Sequence, residues 1–168
     1  MKTLIILIDF YGHPDLTTDR YSDNVRYSYL TEIISSSHID KNEISFYTNQ
    51  IDPRDLRLQE LKNMAISNGF TWVNGKPMDV KGIEQFIITG TNTSGCVFKK
   101  EGLGALHWTM KGYKTKIYLP MCAEYEHKGI NDFERNTLGF AQLYKHIREH
   151  SCLGVEICKE FNDLELPL

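Results

Sequence analysis

Residues 4–8 form an unbroken aliphatic run closed by Asp9. A strand with one wet face would alternate apolar and polar residues, so this run predicts a strand covered on both faces, as in a parallel sheet. Residues 22–36 switch to helical spacing, with Val25, Tyr29, Leu30, Ile33 and Ile34 on one stripe and Ser22 or Asp23 able to cap the start. Residues 44–48 read as a strand. Asp52-Pro53 opens a second helix carrying Leu56, Leu58, Leu61, Ala65 and Ile66, and Asn68-Gly69 stops it. A short strand follows at 70–73, a turn at Asn74-Gly75, and a strong strand at 86–90. The next helical region spans 96–111 and ends at Gly112; Gly102 and Gly104 within it indicate either close approach to the sheet or a break. A strand at 116–119 ends at Pro120. The last helix covers 131–149 with Phe133, Thr137, Phe140, Ala141, Tyr144 and Ile147 on one face, and a final strand is expected at 154–158. Strand and helix alternate throughout, which predicts an α/β domain with a mostly parallel sheet of five to six strands.

Length and charge narrow the function classes. A chain of 168 residues with no repeat, linker or charge block is expected to be a single domain, 1–168. Nineteen Lys and Arg against 22 Asp and Glu give a net charge of −3, without the basic field that nucleic acid or an anionic membrane requires. A hydrophobic fraction of 41% is ample for a core. The amino-terminal apolar run is too short for a signal peptide and ends in an acid, and no run approaches the ~20 residues of a membrane span. Cys96, Cys122, Cys152 and Cys158 show no C-x-x-C spacing. The expected location is a reducing cytoplasm.

Ligands of open α/β sheets collect beyond the carboxyl ends of the strands, where strand order reverses. That rule selects Asp9, Asn49, Gln50, Lys76 and the segment 90–96. Asp9 is costly to bury without a partner. Cys96 stands where a helix begins, a position that lowers a thiol pKa. Packing is the competing role for Cys96, and a backbone hydrogen bond that for Asp9. Phe10, Tyr11, Trp108 and Tyr125 could line a pocket, although Trp108 reads better as core; His13, His107, His127 and His146 show no ligating spacing.

The stretch Gly90-Thr91-Asn92-Thr93-Ser94-Gly95-Cys96-Val97, followed by Gly112-Tyr113, resembles the nucleophile segment of the isochorismatase-like cysteine hydrolases, and Ile8-Asp9-Phe10 is similar to the end of their first strand. The resemblance covers most of the chain. It implies a Rossmann-like three-layer sandwich and an Asp, Lys, Cys triad in which Asp9 takes the proton of Cys96 and the thiolate attacks an amide-type carbonyl, giving a thioester that water cleaves. It further implies a cis peptide at Thr91-Asn92 and an oxyanion hole built from the N–H groups of Asn92 and Cys96. Two lysines compete for the triad: Lys76 has the topological position after the third strand, only ten residues before Phe86, and Lys62 has the more family-like distance from Cys96 but lies in a predicted helix. Lys76 is preferred, and an absent lysine stays open. Nicotinamidase-like members carry an Asp and histidines after the second strand; here that segment reads Thr48-Asn49-Gln50-Ile51-Asp52 with no histidine between His38 and His107, so neither metal nor cofactor is expected. The segment 119–124 lacks an acid at the family's usual place. The expected function is a metal-independent cysteine hydrolase cleaving a small amide or related C–N bond. The alternative is an inactive protein of this fold that binds a small molecule or a protein partner. A small-molecule substrate is the expected partner, without nucleic acid or membrane, and the resemblance allows a homo-oligomer.

Overall fold

A computed structural model describes residues 1–10, 20–49, 56–75, 77–124, 131–150 and 154–168. Six strands, β1 (Thr3–Ile8), β2 (Ile44–Thr48), β3 (Thr71–Asn74), β4 (Gln85–Gly90), β5 (Lys114–Tyr118) and β6 (Val155–Cys158), form one sheet in the order β3-β2-β1-β4-β5-β6. Every pairing is parallel. All six residues of β1 are buried, as its unbroken aliphatic run requires. Ile5 and Leu7 face one helical layer, α1 (Arg20–Ser35) and α2 (Leu56–Ser67), through Leu30, Ile33, Leu58 and Leu61. Leu4, Ile6 and Ile8 face the other, built from α3 (Cys96–Lys99), α4 (Ala105–Met110) and α5 (Asp132–Glu149). The result is the expected three-layer α/β sandwich.

The chain runs outward from β1 through β2 to β3, then returns to place β4 on the other flank of β1, with Ile8 opposite Gly90. The order of strands therefore reverses between β1 and β4, and the crevice beyond their carboxyl ends is the switch point. The described residues of the β3–β4 connection contain no helix; Met78, Val80 and Ile83 instead lay side chains onto the second layer's core. No helix among the described residues is long and apolar enough to cross a membrane.

Two elements differ from their sequence pattern. The region 96–111 is two short helices, because Gly102 takes φ +74 in the turn and Gly104 lies so close to the Phe98 and Lys100 backbone that a Cβ there would stand 2.7 Å from Phe98 O. The glycines therefore mark a break. In α5 the buried positions are Arg135, Gly139 and Leu143, whereas Phe133 is 83% exposed and Thr137, Ala141 and Tyr144 also face outward. The helix is turned by about a quarter revolution from the orientation that its apolar stripe predicts. Its seat is a buried acid, Glu124, against which only a glycine fits.

Candidate active site

Beyond β1, Asp9 adopts the left-handed region at φ 46, an unusual place for an aspartate. Asn49, at the end of β2, holds it there: its Oδ1 accepts from the Asp9 N–H at 2.9 Å and its Nδ2 donates to Asp9 Oδ1 at 2.7 Å. One amide thus fixes both backbone and carboxylate. Beyond β4, Gly90 takes φ +129, and a Cβ there would lie 1.9 Å from Ile8 O. Only glycine permits this approach, which lets the Thr91 N–H donate to Ile8 O at 2.9 Å and carries the following loop over Asp9.

The Thr91–Asn92 peptide is cis. Thr91 Oγ1 accepts from Nη2 of the buried Arg26 at 2.9 Å, and the Arg26 guanidinium lies 4.8 Å from the centre of the Phe10 ring. Asn92 organises the loop from both ends, its carbonyl accepting from Val97 N–H at 3.0 Å and its Oδ1 from Gly95 N–H at 3.3 Å. The loop delivers Cys96, first residue of α3, to the Asp9 carboxylate.

Lys100 completes the group, with Nζ 3.4 Å from Asp9 Oδ1. Four residues after Cys96, it shares that residue's face of the helical turn. Burial pushes the Cys96 thiol pKa up, and the Asp9 charge and its hydrogen bond push the same way; the Asn92 N–H and Lys100 pull it down without reversing the shift. The resting group is a thiol beside the Asp9 carboxylate. The sequence argument for a lowered pKa at a helix start is thus overturned, because α3 has four residues and little dipole to set against burial. The Asn92 N–H favours the thiolate, and the Cys96 N–H meets no acceptor among the described residues, leaving two donors near one nucleophilic atom.

Of the candidate residues, the structure brings together Asp9, Asn49, Asn92 and Cys96. Lys76, Gln50, Tyr11 and Tyr125 lie outside the described residues. Lys62 is on α2, whose buried side chains pack on the opposite face of the sheet from Cys96. The strand-end rule points to the loop after β3 and does not select Lys100, although a lysine at i+4 from the cysteine is a readable signal. Trp108 stacks on Phe86 at 4.1 Å within the core, and Phe10 serves Arg26. A cavity of about 780 Å³ between α1 and α5, walled by Tyr29, Pro120, Phe133 and Phe140, does not reach Cys96.

Asn49, the one described residue directly after β2, is committed to Asp9; residues 50–55 lie outside the described residues, among which no group of three His, Cys, Asp or Glu could hold an ion.

No protein-family model matches the chain, and no curated protein matches it in sequence. Among solved structures, a nicotinamidase from Staphylococcus aureus resembles it with a TM-score of 0.57 over 95% of this chain and 99% of that one, at 16% identity. The likeness shows that the chain shares the α/β fold of that protein.

Proposed function

We propose that this protein is a metal-independent cysteine hydrolase that cleaves a small amide or related C–N bond. The observation that carries the reading is the meeting of Asp9, Cys96 and Lys100 at the switch point, beside the Asn92 and Cys96 amides. Asp9 accepts the thiol proton as Cys96 Sγ bonds to the substrate carbonyl carbon; the carbonyl π pair moves to oxygen, where the two N–H groups receive it. When the oxyanion collapses, the C–N bond breaks and the proton on Asp9 passes to the departing amine. Water then attacks the thioester, giving its proton to Asp9, and the acid leaves as the thiol re-forms. Lys100 holds the carboxylate in place and offsets the negative charge shared by Asp9 and sulfur.

The raised thiol pKa favours a second reading, a non-catalytic binding protein on the same fold. Ammonia release separates the two. A panel of small primary carboxamides, nicotinamide first because the structural neighbour is a nicotinamidase, is incubated with wild type, Cys96→Ala and Asp9→Asn. The proposal expects turnover that Cys96→Ala abolishes and Asp9→Asn lowers at least ~100-fold. Turnover that survives in Cys96→Ala removes Cys96 as the nucleophile, and an amide that binds wild type and Cys96→Ala tightly and is never cleaved favours the binder.

A further inference from the structure

On α1 the apolar stripe of Leu30, Ile33 and Ile34 is continued one turn toward the amino end by an arginine, Arg26, which stands four residues before Leu30 and is only 1% exposed. A guanidinium is costly to bury unless it is hydrogen-bonded and stacked. Arg26 is both: its Nη2 donates to Thr91 Oγ1 at 2.9 Å, and its guanidinium carbon lies 4.8 Å from the centre of the Phe10 ring. Phe10 follows Asp9, and Thr91 precedes Asn92, so one side chain touches both segments that carry the site. Thr91 is fully buried, its N–H donates to Ile8 O, and the chain leaves the sheet at the next residue. Tyr27 adds a second tie, its hydroxyl donating to Phe10 O at 3.2 Å and its ring meeting the Phe10 ring edge-on at 5.8 Å. From α2, Arg57 lies 4.2 Å from the centre of the Tyr27 ring and donates to Asn24 Oδ1 on α1 at 3.0 Å, which braces the same turn of helix from outside.

We propose that Arg26 is a positioning residue: reaching from α1, it holds the Thr91 side chain and the Phe10 ring in one place, and so sets where the Asn92 amide stands relative to Asp9 and Cys96. The consequence for turnover rests on the hydrolase reading; the placement of the amide does not. Arginine suits the task because its planar fork stacks with a face and donates along an edge at the same time, and because it stays charged at every working pH. The bond to Thr91 is charge-assisted, and therefore stronger than a neutral side chain would make. A displacement of the order of 1 Å in a group that receives developing charge costs up to about 100-fold in rate, so a side chain that touches no substrate still bears on the reaction.

Thr91→Val tests this most cleanly, since it removes the acceptor and keeps both the branched shape and the Arg26 charge. Cys96 labelling by iodoacetamide across pH 6 to 11 reports the amide without needing a substrate, because the thiol midpoint is set by burial, Asp9, Lys100 and the Asn92 N–H. Thr91→Val should raise the midpoint and, with a carboxamide that wild type cleaves, lower kcat about 10–100-fold at little change in KM. Thr91→Ser, which restores the hydroxyl, should return both toward wild type. Arg26→Met should match Thr91→Val in kcat, and the double variant should be no worse than the poorer single one; Thr91→Val keeps the test open where Arg26→Met yields no folded protein. A folded Thr91→Val with the wild-type midpoint and kcat overturns the proposal, and so does a raised KM at unchanged kcat. Midpoints that move as predicted in a protein that cleaves no carboxamide remove the hydrolase reading and support the role of Arg26.

Discussion

Gly139→Ala should destabilise this protein, although the same change in an ordinary helix stabilises by about 1 kcal/mol. The new Cβ would lie 2.1 Å from Glu124 Oε1 and 2.6 Å from both Cδ and Cγ. Those distances involve the whole outer side chain, so rotating its tip alone relieves little. Overpacking of this kind costs typically about 1–3 kcal/mol; set against the propensity gain, a net loss of up to about 2 kcal/mol is expected. In a Glu124→Ala background the obstruction is gone, and Gly139→Ala should become neutral or stabilising by up to about 1 kcal/mol. Denaturant unfolding of wild type, both single variants and the double variant gives the coupling energy, predicted near 2 kcal/mol. A stabilising Gly139→Ala in wild type, or an equal loss in both backgrounds, would refute the packing of α5 on Glu124.

Two further predictions concern stability. Gly90→Ala should cost at least about 4 kcal/mol or prevent folding, because its Cβ meets three backbone atoms of Ile8 within 2.9 Å at a φ of +129; soluble yield and thermal unfolding report it, and a near-native melting temperature contradicts the contact between β1 and β4. Glu124 binds its proton more tightly when folded, at about 7, than at its ordinary 4.5, so its stabilisation is complete below pH 4.5 and lost as pH rises through 7. Wild type should therefore lose on the order of 3 kcal/mol relative to Glu124→Gln between pH 4.5 and 8, measured by urea unfolding, and parallel pH profiles would disprove it.

The parts of this fold that were legible in the sequence are those that apolar periodicity encodes. The aliphatic run of β1 and the alternation of strands with helices specify a parallel sheet, and the strand-end rule leads from there to Asp9 and Cys96. Periodicity misplaced α5 because its buried face carries Arg135 and Gly139, whereas Phe133 and Tyr144 make the more apolar stripe and face outward. A helix seated on a buried acid is invisible to a rule that counts only apolar positions. The lysine was missed for a similar reason. Topology points to the loop after β3, yet the amine that reaches Asp9 is Lys100, on the turn that also carries Cys96, where the helix breaks before Gly104. The thiol pKa was misjudged in direction because helix length cannot be read from the residues around Cys96, and four residues provide too little dipole to outweigh burial.

The central claim is that Asp9, Cys96 and Lys100 act as one electrostatic unit, and iodoacetamide labelling of Cys96 across pH 6 to 11, read by peptide mass spectrometry, tests it most directly. The account predicts a wild-type midpoint above the ordinary thiol value of 9.0, a lower midpoint in Asp9→Asn, where an opposing charge is gone, and a higher one in Lys100→Met, where a supporting charge is gone. Superimposable profiles in the three proteins would show that Cys96 titrates alone and would contradict the account.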